Sequence, residues 1–320
     1  MLKIDNKVLK INGGWLKVNS PGPTPSLPPY TIRLKFTEGV TPTFSKGTGV
    51  QVSSSPNIWD LTYENNDWRL LLRQQTSLLE VIDANSTGVT NMADMFSTCS
   101  SLTTVSLFDT SNVTDMEYMF AGCTSLPSVP LFDTSNVTSM YGTFYGCTSL
   151  TSVPLFDTSN VTEMHGLFSG CTLTTVPLFN TSKATDMSDM FNGCTLLTSV
   201  PLFNTSSVTT MDAMFYNCSS LTSVPLFDTS NVTDMQSMLS RCTSLTSVPL
   251  FDTSKVTDIR GMLYQSYNVQ SGALALYQQA SSQDIPPSQH SQTFYNCGSN
   301  TTTGAAELAQ IPSDWGGTGA

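Results

Sequence analysis

Apolar residues recur along this chain with two spacings inside a 24-residue frame, and the frame itself repeats. Within 107–130, Met116-x-x-Met119-Phe120-x-x-Cys123 places apolar side chains at i, i+3, i+4 and i+7, one face of a helix, and Leu126-x-x-Val129-x-Leu131 ends in the alternation of a strand. Copies begin at Leu131, Leu155, Leu178, Leu202, Leu226 and Leu250. Each unit therefore predicts strand, turn, short helix, turn. Asp115, Ser139, Asp186, Thr210, Asp234 and Asp258 stand before the first Met or Ile as N-caps, with Glu163 in the same place. Glycines at 122, 146, 170 and 193 suit a helix of about two turns that ends through positive φ. Cysteines at 99, 123, 147, 171, 194, 218 and 242 keep the register, with one 23-residue step where a residue is deleted after Cys171.

A period in this range means a solenoid whose units bury their apolar faces only by stacking. The expected fold is an α/β solenoid of strand plus short helix, curved and right-handed. Its Leu-x-x-Val-x-Leu strands would form one parallel sheet, and its Met and Phe columns would lie inside. The pattern C-x-x-L-x-x-V-x-L-x-D-T-S-x-V-T-x-M-x-x-M-F-x-x-C resembles the BspA-like leucine-rich repeats, the DUF285 type of bacterial surface proteins, over roughly residues 76–266. That resemblance implies a leucine-rich-repeat solenoid used for adhesion or recognition rather than catalysis.

The flanks divide the rest of the chain. Residues 1–19 read as a strand-rich leader with turn signals at Asp5-Asn6 and Gly13-Gly14. A sheet this small buries too little area to stand alone, so Leu2, Ile4, Leu9, Ile11, Trp15 and Val18 are candidate attachment residues. Lysines interrupt its apolar positions, so the start does not read as a secretory signal peptide. Residues 20–29 are a Pro-rich linker, and 30–75 an N-terminal cap with strands near 30–36, 50–52 and 58–63 and a short helix at 68–73. Residues 267–320 hold an insertion, helical over 273–280, and a C-terminal cap to which Leu308, Ile311 and Trp315 contribute.

Composition narrows the function. A net charge of -11 and a pI near 4.4 argue against nucleic acid and anionic membranes as partners, and no apolar run is long enough for membrane insertion. The eight cysteines follow the repeat, which favours reduced, buried thiols over disulfides. Asp109, Asp133, Asp157, Asn180, Asn204, Asp228 and Asp252 form a ladder best read as Asx-turns, with calcium the lesser reading. The Asn-Val-Thr sequons are by-products of the repeat. His165 and His290 join no metal or catalytic constellation, so no cofactor, metal or catalytic residue is assigned.

What varies between units is more telling than what repeats. Tyr118, Tyr141, Tyr145, His165, Tyr216, Arg241 and Tyr264 are the candidate ligand-binding residues, because tyrosine gives large contact area at low entropic cost. Glu117, Asp189, Asn192, Asp212, Gln236 and Arg260 vary on the same segment. The expected function is non-enzymatic recognition. The first reading is a bacteriophage structural protein, a fibre or decoration protein on the virion surface. It would be joined to other virion proteins through residues 1–29 and would meet a host-surface protein or glycan. The alternative is a bacterial cell-surface adhesin of the BspA-like type. Either is compatible with a homo-oligomer.

Overall fold

Backbone hydrogen bonds between residues one unit apart hold this protein together. The computed structural model describes residues 8–11, 14–17 and 27–319. Parallel bridges link Asp67, Asn91, Asp115, Ser139, Glu163, Asp186, Thr210, Asp234, Asp258 and Gln289 in one ladder, so ten coils stack as a repeat solenoid.

The segment expected to be helical is not a helix. In the coil that starts at Asp115, the amides of Met119, Ala121 and Cys123 donate to the carbonyls three residues back. The intervening amides of Met116, Tyr118, Phe120 and Gly122 donate to Ser139, Tyr141, Thr143 and Tyr145 of the next coil, at 2.7–3.2 Å. The result is a run of overlapping turns in which alternate amides bond locally and between coils. Positive φ is needed twice per run, at Tyr118 (49°) and Gly122 (71°), which an α-helix forbids. Met116, Met119, Phe120 and Cys123 are nevertheless buried, as their spacing requires. The same turns run from Trp68 to Gln74, where a short helix was expected.

The expected parallel sheet is also largely absent. Among the described residues, β6 (Leu78–Asn85) and β7 (Thr104–Val105) are the only strands that pair in parallel on that side, with one further bridge between Ser247 and Ser271. Prolines at 130, 154, 177, 201, 225 and 249 lack the amide a ladder needs. In most units the amide of the following Phe instead reaches back two residues, as from Phe132 to Pro130 at 3.0 Å and from Phe156 to Pro154 at 3.0 Å. That tight turn is centred on the leucine and reverses the alternation. Phe132 and its counterparts therefore face the core, while Leu107, Leu131, Leu155, Leu178, Leu202, Leu226 and Leu250 are 51–62 % exposed.

At the N-terminal end, β3 (Thr31–Phe36), β4 (Thr48–Ser54) and β5 (Asn57–Thr62) join β6 in the order β4-β5-β3-β6, antiparallel throughout. Ile32, Leu34, Phe36 and Leu61 share one continuous core with the coils. Separately, β1 (Val8–Ile11) and β2 (Gly14–Lys17) form a hairpin with Leu9 opposite Leu16. The attachment candidates Leu9, Ile11 and Trp15 fall on its backbone, whereas Leu2, Ile4 and Val18 lie outside the described residues.

Toward the C-terminus, the coil at 289–297 follows the coil at 258–266, and α1 (Ala273–Ser281) stands in the insertion between them. After it come α2 (Thr302–Leu308) and a buried Trp315, whose carbonyl accepts the Phe294 amide. Inside, Phe96, Phe120, Phe144, Phe168, Phe191 and Phe215 stack with centroids 5.3–5.8 Å apart. All eight cysteines are free and buried. The thiols of Cys99, Cys123, Cys147, Cys171, Cys194, Cys218 and Cys242 donate to carbonyls of the preceding coil, as from Cys147 to Phe120 at 3.1 Å. Where the column lacks a cysteine, the Ser266 hydroxyl makes the equivalent bond to Leu239 at 2.7 Å.

Candidate functional site

The overlapping turns push every second side chain outward, and the varied residues of successive coils meet there. Tyr118, Tyr141, Tyr145 and His165 come together with Asp189 and Asn192 around a groove of about 330 Å³. The Tyr118 and Tyr141 rings lie 4.7 Å apart at 51°, and His165 meets Tyr141 edge-on at 4.8 Å. A glycine makes this possible. Gly142 has φ of 56°, and a Cβ there would collide with the Tyr118 ring. Its neighbour Tyr141 therefore stands beside Tyr118 without a side chain between them.

The polar wall is anionic. Asn192 donates its amide to Asp189 at 2.5 Å. His165 lies between two carboxylates, 3.9 Å from Asp186 and 3.7 Å from Asp189. Both separations exceed hydrogen-bond length, so neither aspartate orients the imidazole as in an acid–base pair. Burial and the adjacent Tyr141 hydroxyl push the Tyr118 phenol well above its ordinary value, so it remains a neutral donor.

Tyr216 and Tyr264 belong to a second groove of about 290 Å³, with Gln236 and Arg260. Arg241 stands over the Tyr216 ring at 5.7 Å, and Tyr264 stacks on Tyr295 at 5.3 Å. The seven candidates thus divide between two places rather than forming one surface. Between the two lies Asp212, whose Oδ1 has no hydrogen-bond partner. Burial, and then the carboxylates of Asp234, Asp189 and Asp258, push its carboxyl up to about 6.

Asp189 and Asn192 were legible only as variable positions. What selects them is that they follow the 23-residue step and still fall beside His165. The glycine of the aromatic floor gave no signal beyond its own identity. On the opposite edge, Asp109, Asp133 and Asp228 each accept from a serine amide and hydroxyl two residues on, as Asx-turns do.

Two solved structures match the chain at low identity. A leucine-rich cell surface protein from Faecalibacterium prausnitzii A2-165 matches at 17 % identity and a TM-score of 0.38, over 76 % of this chain and 78 % of that one. A leucine-rich repeat protein from Bacteroides ovatus ATCC 8483 matches at 15 % identity and a TM-score of 0.26, over 83 % and 91 %. No curated protein matches. The family model described as Mycoplasma protein of unknown function, DUF285, matches residues 69–178 and 173–277, nearly all of the stacked coils. By that match the chain belongs to the DUF285 family of BspA-like leucine-rich-repeat proteins.

Proposed function

We propose that this chain is a non-enzymatic recognition protein of a bacterial cell surface, and that the groove between Tyr118 and Asn192 takes a saccharide. Family membership favours the adhesin over the virion component, for which nothing beyond the leader speaks. The observation that carries the ligand reading is the conjunction of two tyrosine rings, an imidazole, a carboxylate and a carboxamide around one groove. Ring faces suit the C–H faces of a pyranose, and Asp189 and Asn192 supply an acceptor and an amide for paired hydroxyls. The volume falls at the lower end of small-molecule sites, about 300–1,000 Å³, which suits one or two sugar residues.

The test is binding of the intact protein to an array of host and bacterial glycans, followed by titration of the best ligand. Tyr141→Ala and Asp189→Asn should each weaken binding roughly ten-fold, equivalent to about 1.4 kcal/mol, with the unfolding midpoint little changed. Undiminished binding by both variants would remove the groove from consideration. No glycan bound at all would remove the saccharide reading.

A further inference from the structure

The seven exposed leucines form a continuous apolar strip that the recognition groove does not use. Even a half-buried position drifts from unit to unit where packing imposes no one side chain, as Glu117, Tyr141, His165, Asp212 and Gln236 do in one column, with exposed Arg260 at its end. The leucine does not drift. With half-buried prolines beside six of its rungs, the strip is on the order of the 300–600 Å² reached by the largest apolar patch of an ordinary monomer, and such patches mark interaction surfaces. Two residues beyond the leucines run Asp109, Asp133, Asp157, Asp228 and Asp252, with Asn180 and Asn204 in the middle. Serine hydrogen bonds hold the carboxyls of Asp109, Asp157 and Asp228 below their ordinary value, so this border is charged at neutral pH.

The strip therefore asks for an occupant that is apolar and basic. A second copy fits poorly, since two strips laid antiparallel would set Asp109 against Asp252 and Asp133 against Asp228, across an interface of two acidic chains. The chain carries a better match. Residues 1–19 hold four lysines against one aspartate, interleaved with leucine, isoleucine, valine and tryptophan, in a protein of net charge -11.

Connectivity brings the two together. The first described residue after the leader, Leu27, is buried, and its carbonyl accepts the Asn85 side-chain amide at 2.8 Å. Leu27 and Asp109 line one small groove, so the chain arrives at the first rung of the strip. The connection 18–26 spans up to about 28 Å at ~3.1 Å per residue when Pro-rich and extended. Seven rungs at ~4.8 Å cover about 29 Å. The leader can reach most of the strip without leaving its own chain.

We infer that residues 1–19 dock in cis on the Leu107–Leu178 part of the strip, covering the leucines with their apolar side chains and matching the aspartate border with their lysines. The test places a photo-crosslinking benzophenone amino acid at Trp15 of the full-length protein. Intramolecular cross-links to the strip between residues 107 and 180 are expected. Cross-links only elsewhere in the chain, or only between copies, overturn the inference. Independently, Leu131→Lys with Leu155→Lys should speed tryptic cleavage after Lys10 and Lys17 roughly ten-fold, because cleavage follows the population of the open form. Val50→Lys with Val52→Lys, comparably exposed residues off the strip, should leave that rate unchanged. Leu131→Ser with Leu155→Ser gives the same reading if the lysine variant misfolds. Equal rates in all variants overturn the docking, as does a wild-type dimer that these leucine substitutions dissociate.

Discussion

At the scale of single residues, the core columns follow directly from spacing, and their energetics are local. Phe168 is fully buried and stacks between Phe144 at 5.7 Å and Phe191 at 5.8 Å. Phe168→Ala should cost about 3–5 kcal/mol in a denaturant titration, since neighbours on both sides hold the cavity open. Burial pushes the thiols of Cys99, Cys147, Cys194 and Cys242 up to about 12. The native protein should therefore be inert to a thiol reagent, with all eight cysteines reacting once denaturant is added. Native disulfides found by mass spectrometry would contradict this. Asp212 behaves oppositely to most paired carboxylates. Its folded value of about 6 stands above the ordinary 3.8, so the folded state holds the proton more tightly than the unfolded one. The stability it contributes is complete below about 3.8 and is lost as pH rises through about 6. Asp212→Asn should accordingly gain on the wild type in melting temperature between those limits. A pH-independent difference would refute the assignment.

At the scale of elements, periodicity located the buried side chains but not the backbone that carries them. The spacing i, i+3, i+4, i+7 serves an α-helix, yet it serves overlapping four-residue turns as well. What separates the two is where alternate amides bond, and that depends on the next coil. The strand reading failed at Leu131 for a related reason. Alternation assumes an extended chain, and the tight turn after Pro130 moves the inward position to Phe132. Left-handed backbone at defined places has consequences for the groove. Gly142→Ala introduces strain at φ of 56° and a clash with the Tyr118 ring. It should cost about 1–2 kcal/mol in stability and weaken any ligand of the groove, whereas Tyr145→Ala should affect binding alone.

At the scale of the whole molecule, a stack in which each coil touches only its neighbours should unfold from its ends. Trp315 packs on His290 at 4.2 Å and on Tyr277 at 5.3 Å beside the last coil. Trp315→Ala should therefore strip amide-exchange protection from 258–297 first and leave 67–171 near wild type. Uniform loss would argue for a single cooperative block. The repeat and its order were legible because identical spacings recur. Which aromatic side chains share a groove was not, since that is decided by lateral distances between coils. The run of turns also gives the molecule a direction. In each step four amides point toward the following coil and their carbonyl partners point back, as from 116, 118, 120 and 122 to 139, 141, 143 and 145. Peptide dipoles of roughly 3.5 D in these units add along the stack, opposed in part by amides that point back, as from Thr138 to Thr114 at 2.9 Å. The first coil presents the negative pole, where Lys46 already donates to the Arg69 carbonyl at 2.9 Å. The last coil presents the positive pole, where the Trp315 carbonyl receives the Phe294 amide. The two ends of the stack are therefore electrically unlike, which favours a cation at the first coil and an anion at the last.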